Sequence, residues 1–307
     1  MDLNQANVYH QPVMLQECID ALQLNTGGTF VDATFGGGGH SKEILKNLAS
    51  NDKLLAFDRD SDALNNIIDD NRLTLIHHNY NCLQNYADFL GFTPVQGILA
   101  DLGISSHQVD SEERGFSFRY DAPLDMRMDI ASKTSVSDLI NYTPVAELQI
   151  IFSKYGEVKN AATLAKRIGE LRTLKPIVTT GQLIAICEEV VPHSIPIKKY
   201  LAPIFQALRI AVNEELNSLE EFLIHCENIL APGGRLVILT YHSLEDRIVK
   251  KHLSRSNATD DAQHSIYGNV NHIYNTVKIK QPSQLEISTN PRSRSAKLRV
   301  AIKNEIN

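Results

Sequence analysis

Three carboxylates and one imidazole fall where short apolar runs stop. Asp32 ends Thr29-Phe30-Val31, Asp58 ends Lys53 to Phe57, Asp101 follows Val95 to Leu99, and His242 follows Arg235 to Thr240. A lone aspartate at such a place commonly caps the next helix. Four polar residues at four such ends suit a ligand site better, because open α/β sheets bind ligands beyond the carboxyl ends of their strands. Just after Asp32 comes Phe35-Gly36-Gly37-Gly38-Gly39-His40-Ser41. A glycine run allows a tight turn and close approach of backbone to a ligand. The helix that follows offers unpaired N–H groups.

Two nucleotide-like cofactors suit such a turn. A dinucleotide fingerprint needs G-x-G-x-x-G or A, and Gly36, Gly38 and Ser41 miss it at the third position. A P-loop is excluded, since no Gly-Lys-Ser/Thr follows. Asp58 lies about 20 residues beyond the loop, where an acid meets ribose hydroxyls in either kind of site. The missing third glycine, together with Asp32, favours S-adenosylmethionine, which brings no pyrophosphate. An NAD-dependent oxidoreductase stays open on these residues alone.

Asp101 begins Asp101-Leu102-Gly103-Ile104-Ser105-Ser106-His107-Gln108. An acid here suits methyl transfer to an exocyclic amine. The lone pair of such an amine is delocalised into the ring, so an acceptor on its N–H helps the nitrogen pyramidalise. Placement in line with the methyl donor supplies most of the acceleration. The Pro-Pro-aromatic continuation common among amine methyltransferases is missing, so the residues by themselves leave the substrate undecided.

The elements that must position these groups alternate. A helix is expected over His10 to Leu24, then a strand at Thr29 to Ala33, the glycine loop, and a helix over Lys42 to Leu48. Strands at Lys53–Asp58, Arg72–His77 and Val95–Leu99 follow, with helices around Ala63 to Ile68 and Gln84 to Leu90. This order predicts a parallel sheet with helices on both faces. From Ser106 to Pro203 the spacing is helical, with a capping box at Ser135 to Asp138 and a helix start at Thr143-Pro144. A long helix from Ile204 through Leu208, Val212, Leu216 and Leu223 ends near Pro232-Gly233-Gly234. Strand Arg235–Thr240 comes next, and then a helix opened by a second capping box at Ser243 to Asp246. Asn257 to Asn271 is polar, and His272–Ile279 and Ala296–Ile302 read as closing strands. The fold class expected is α/β, an open Rossmann-like sheet, of the kind class I methyltransferases use, with an inserted helical subdomain. Residues 1–105 and 204–307 would form the cofactor-binding domain and residues 106–203 the insertion, for substrate recognition.

Composition bounds the rest. The 307 residues carry a net charge of −6, which argues against a protein that grips naked duplex with an overall basic surface. Cys18, Cys82, Cys187 and Cys226 form no C-x-x-C pair, so neither structural zinc nor a disulfide framework is expected. No apolar run approaches the roughly 20 residues that span a bilayer. The polar start Asp2, Asn4, Gln5 and Asn7 is unlike a signal peptide. A cytoplasmic location is expected.

Longer strings resemble a known family. These are Tyr9-His10-x-Pro12-Val13-Met14-Leu15, Asp32-Ala33-Thr34-Phe35-Gly36 through Ser41, Phe57-Asp58-Arg59-Asp60, and Asp101 to Ser106. Glu113 to Arg119, Pro123 to Asp129, Phe205 to Ile210, His242 to Arg247 and Asn290 to Ser295 continue them in order. The chain resembles the bacterial 16S ribosomal-RNA cytosine N4-methyltransferases (RsmH or MraW) along nearly its whole length. The resemblance implies methylation of the N4 amine of a cytidine in the decoding region of 16S RNA. The partner would be the small ribosomal subunit, and a homodimer is compatible with it. It implies that Gly38, Gly39, His40, Asp58, Tyr80, Asp101 and Gln108 contact S-adenosylmethionine; no residue is assigned as a metal ligand. Asp101 is the candidate catalytic residue; Arg292, Arg294 and His242 are the candidate RNA contacts, although a histidine beside a helix cap can be purely structural. Tyr80 or Phe116 could stack on a base, with a core role as the plain alternative. Asp125, Arg127 and Asp129 suit a charged network that folds their loop over the site. Two departures from the family pattern stand out. Ala202-Pro203-Ile204 replaces a stretch that commonly carries Thr-Arg, and Tyr241 stands where phenylalanine is usual. A non-catalytic ribosome-binding factor is the third reading.

Overall fold

The computed structural model describes residues 12–255 and 272–305. In chain order, its first part contains α1 (Leu15–Leu22), β1 (Thr29–Asp32), α2 (Gly39–Asn47), β2 (Lys53–Asp58), β3 (Leu73–His77), α3 (Leu83–Phe89) and β4 (Val95–Asp101). Helices α4 (Ser106–Asp110), α5 (Val136–Tyr142), α6 (Val145–Gly156), α7 (Ala161–Arg172), α8 (Thr180–Val190) and α9 (Ile197–Val212) follow. The chain then runs through α10 (Glu215–Ile229), β5 (Leu230–Thr240), α11 (Ser243–Leu253), β6 (Tyr274–Lys280), α12 (Gln284–Thr289) and β7 (Lys297–Lys303).

The seven strands form one sheet in the order β3-β2-β1-β4-β5-β7-β6. The first five pair in parallel, and β7 runs antiparallel to both β5 and β6. The direction of winding reverses between β1 and β4, which creates the crevice that such sheets use for ligands. Both faces are covered, so the central strands are continuously apolar. Phe30, Leu54 and Leu99 pack toward α1 and α2. Val31, Leu55 and Ile98 point the other way, toward α3, α10 and α11. Fully burying side chains of this size stabilises by about 1.5–3 kcal/mol each.

The chain divides into two compact units, 1–103 with 216–307 and 104–215. The insertion expected at 106–203 therefore extends through all of α9. The reason lies at Asn213. Instead of one long helix through Leu223, the chain breaks between α9 and α10, where Glu214 adopts φ 50°. The Asn213 side chain accepts from Met128 N–H and donates to the carbonyls of Met126 and Arg209. Leu148 and Phe152 of α6, Leu164 and Ile168 of α7, and Ile204 and Leu208 of α9 form this unit's core. Pro203 lies inside α9, and a Cβ on Gly156 of α6 would meet its carbonyl oxygen at 2.6 Å, so only glycine lets the two helices approach.

Other departures are local. The helix expected after β2 is a 3-10 segment, Ser61–Asn66, capped by Asp60 and followed by a two-thirds-exposed Ile67. Asn65, Asn66, Asp69 and Asp70 are poor helix formers, so the apolar spacing is not enough to extend it. The pairing of β4 with β5 jumps from Val95↔Leu230 to Gly97↔Arg235, and Pro232, Gly233 and Gly234 lie in the irregular stretch. Short helix α12 interrupts the Pro-, Ser- and Arg-rich loop before β7. Tyr9, His10 and the polar segment 257–271 lie outside the described residues. No helix among the described residues is long and apolar enough to cross a membrane.

Candidate functional site

The glycine turn is fixed from beneath by Asp32. That side chain is fully buried, accepts from the Ser41 hydroxyl at 2.6 Å and from Thr34 N–H at 3.1 Å, and so ties β1 to α2. Burial raises its pKa, against the opposing effect of His40 and these hydrogen bonds. Asp32 is a brace under the turn, unlike the other strand-end acids. Gly36 and Gly38 both require positive φ, +52° and +73°. A Cβ at Gly36 would meet nothing within 4 Å, so the upper side of the turn is open. Gly39 differs, since a Cβ there would strike the Pro12 ring at 2.3 Å; its bare face lets the amino-terminal segment approach.

Asp58 faces this turn from the end of β2. Its carboxylate accepts from Gly36 N–H at 2.7 Å and from Asp60 N–H at 2.8 Å. It touches solvent but is crowded by protein atoms. That burial outweighs the two N–H donors and pushes its pKa up to about 6.

Asp101 stands across the switch point at the end of β4. Thr34 Oγ1 accepts its backbone N–H at 2.7 Å. The Tyr241 hydroxyl donates to Oδ1 at 2.6 Å, and His40 Nδ1 lies 3.8 Å from Oδ2. Burial raises the pKa of Asp101; His40 and the tyrosine hydrogen bond moderate the rise. The other ring nitrogen of His40 is 3.2 Å from the Val13 carbonyl, to which it donates. The same carboxyl-end edge thus carries two desolvated acids, Asp58 and Asp101, around an open glycine turn.

The remaining expected residues are scattered in role. Tyr80 begins a 3-10 turn after β3, its ring edge-on to Phe222 at 5.0 Å. Gln108 belongs to the helical unit, where its side chain accepts from Ser105 N–H and completes the capping box of α4. Phe116 is a core residue of that unit. Arg127 holds Asp125 through two hydrogen bonds of 2.7 Å, locking their loop.

The second capping box is displaced by one residue. His242, and not Ser243, is the N-cap of α11. Its Nδ1 accepts from Glu245 N–H at 3.4 Å, and Glu245 in return accepts from the N–H groups of Tyr241 and His242. His242 Nε2 lies 3.0 Å from Glu245 Oε1, but off the angle of a hydrogen bond. The sequence matches Ser-x-x-Asp and His-x-x-Glu equally in spacing, and the buried Glu245 selects the latter.

Arg292 and Arg294 lie in the 3-10 turn Pro291–Ser295 before β7. Arg294 and Lys297 line a cavity of about 330 Å³ together with Tyr241 and His242, beside the end of β5. Arg299, two residues beyond Lys297 in the sequence, is buried and donates to Asp246 at 2.7 Å. Burial raises the Asp246 pKa, but hydrogen bonds from Arg299 and Lys297 outweigh it and hold the carboxyl below its usual range. Sequence reading missed Tyr241 and Glu245 as partners of the site. The available signal was register: Asp101 pairs with Leu239, two residues before Tyr241.

An open parallel sheet with a reversed winding point, a bare glycine turn and two desolvated acids defines a protein that binds a nucleoside cofactor. Comparison with known proteins sharpens that class. Residues 7–304 match the model of the MraW methylase family, and the chain belongs to that family. It is 46% identical to ribosomal RNA small subunit methyltransferase H of Flavobacterium johnsoniae, over 96% of this chain and 98% of that protein. The protein of the same name from Cytophaga hutchinsonii is 47% identical over 96% of this chain and 99% of its own length.

A methylase of this family draws its methyl group from S-adenosylmethionine, and the site fits that cofactor. The open face of Gly36 admits a ligand against the backbone. Two carboxyls raised by burial suit a ligand bearing hydroxyl donors and positive charge, which favour their ionised forms.

Proposed function

We propose that this protein transfers a methyl group from S-adenosylmethionine to the N4 amine of a cytidine in the decoding region of 16S ribosomal RNA, within the small subunit. The names of its relatives support ribosomal RNA of the small subunit as substrate. The sequence resemblance supports the amine and its region. The observation that carries the chemistry is Asp101, a desolvated carboxylate at the winding reversal with one oxygen held by Tyr241.

The cofactor supplies an electrophilic methyl group on a sulfonium. Asp58 holds ribose hydroxyls, and Gly38, Gly39, His40, Tyr80 and Gln108 complete the cofactor's surroundings. Asp101 accepts the N–H of the incoming amine, which turns the nitrogen lone pair out of the ring and toward the methyl group. With the cofactor bound, the nitrogen would take the methyl group, leaving the donor as the neutral thioether, and the proton shed by the nitrogen would pass to Asp101 and on to water. Arg292, Arg294 and His242 meet RNA phosphates. The helical unit recognises the subunit, the reaction takes place in the cytoplasm, and a homodimer is checked by sedimentation. Nucleoside mass spectrometry of 16S RNA from cells lacking the protein tests the reading. One N4-methylated cytidine should disappear and return when purified small subunits are treated with the protein and cofactor. An unchanged nucleoside profile removes this substrate.

A further inference from the structure

We infer that Tyr241 is a positioning residue for methyl transfer: its hydroxyl commits Oδ1 of Asp101 and leaves Oδ2 as the oxygen that accepts the target amine. The inference rests on the proposed role of Asp101. A carboxylate on a short side chain turns readily and presents two equivalent oxygens. An acceptor that must meet one N–H in line with a methyl donor gains when that equivalence is broken, and this chain carries a tyrosine to do so where phenylalanine is usual in the family it resembles. The Tyr241 hydroxyl does so at 2.6 Å, the length of a charge-assisted O–H···O bond.

The tyrosine is itself held at three points. Its backbone N–H donates to Glu245 Oε2 at 2.8 Å, as part of the box that starts α11. Its ring lies over Gly103, where an added Cβ would be 3.5 Å from Cδ2, and Gly103 has φ +108°, which other residues rarely adopt. Its hydroxyl is anchored at Asp101, whose backbone is pinned to Thr34. Burial first, and the Asp101 charge next, push the phenol pKa well up, so Tyr241 remains a donor. Oδ2 has His40 Nδ1 at 3.8 Å, beyond hydrogen-bond reach, and its lone pairs remain available. A purely structural tyrosine could end in any carbonyl; this one ends on the carboxylate at the winding reversal.

The hydrogen bond also sets where Asp101 ionises. The charged or titratable groups around it are Cys18 on α1, Asp32 at the end of β1, His40 on α2, Tyr241 beyond β5 and Glu245 on α11. His40 and Tyr241 favour the carboxylate, while Asp32 and Glu245 oppose it. Removing the hydroxyl leaves the opposing acids in place. Asp101 then ionises at higher pH.

The test is methyl transfer to small subunits from cells lacking the protein, measured from about pH 5.5 to about pH 9. Tyr241→Phe, which keeps the ring, should move the acid limb of kcat to higher pH and lower kcat by up to about tenfold along that limb. The loss should shrink as pH rises, and cofactor Kd should change less than kcat. In an Asp101→Asn background the same substitution should have no further effect. Incorporating 3-fluorotyrosine at position 241, a stronger donor, should move the limb the opposite way. Should Tyr241→Phe fold poorly, this analogue gives the answer by itself. Wild-type transfer with an unshifted limb in both variants overturns the role of Tyr241 alone. Absence of transfer by the wild-type protein overturns the substrate reading, and this role with it.

Discussion

The helical unit buries polar side chains that are fully occupied. The Thr180 hydroxyl accepts from Ala122 N–H and donates to the Tyr120 carbonyl. Asn213 satisfies three backbone groups, and Glu215 is gripped twice by Arg209. The sheet unit also contains such a group in Asp246, and Asp32, though its pKa is raised by burial too, is held under the turn; of these acids only Asp58 and Asp101 stand at the open edge. Their pKa values are raised because burial outweighs the partners they have. Saturated polar groups specify a fold. Desolvated carboxylates at a sheet's ligand-binding edge oppose stability until something meets them, which marks them as working groups.

If that contrast holds, substitution in the two units should fail in different ways. The largest effect is expected at Asp101. Asp101→Asn keeps the size and a bond to Tyr241 but weakens the acceptor. Methyl transfer should fall about 100-fold or more, with a melting temperature near that of the wild type. Transfer of labelled methyl to purified small subunits, beside a thermal melt, checks both halves. Activity within a few-fold of wild type would remove Asp101 from the chemistry.

Asn213→Ala is the counterpart in the helical unit. It leaves Met128 N–H and the Met126 carbonyl without their partner. Each unsatisfied buried group costs about 1–3 kcal/mol, so denaturant unfolding should show a loss of about 3 kcal/mol. The acid limb of the pH–rate profile should stay where it is. A shifted limb would mean that this asparagine also tunes the reaction, and the contrast between the units would fail.

How far the sequence revealed this arrangement follows the range of the forces involved. The five parallel strands, the glycine turn and the positions of Asp58 and Asp101 were legible, because each depends on local apolar runs and their ends. The break at Asn213 was not: an unbroken helical stripe runs from Leu208 to Leu223, and the asparagine acts through carbonyl and N–H groups of a loop some 85 residues earlier. The N-cap of α11 was displaced for a similar reason, since burial of Glu245 decides between two boxes of equal spacing. Nothing in the sequence separates Arg299 from the less buried Arg292, Arg294 and Lys297; it is the pairing of β7 with β5 and the bond to Asp246 that do. Tyr241 reaches Asp101 only through register between strands distant in the chain.

The smallest expected effect concerns Asp58 and needs no substitution to appear. Its carboxyl ionises at about pH 6 in the free protein. Ribose hydroxyls donate, so they favour the carboxylate, and cofactor binding should lower that pKa. Above about pH 7 the acid is already charged and cofactor Kd should be flat. Below about pH 6 binding must first expel a proton, and Kd should rise about tenfold for each pH unit, or 1.4 kcal/mol. Calorimetry in buffers of different ionisation enthalpy should show up to one proton released per cofactor bound at low pH and none at high pH. Asp101 also has a raised pKa, so the assignment needs a control. Asp58→Asn should weaken binding at neutral pH and remove most of the slope, whereas Asp101→Asn should leave it. A slope that survives Asp58→Asn would place the proton on another group and leave Asp58 as a loop brace like Asp32.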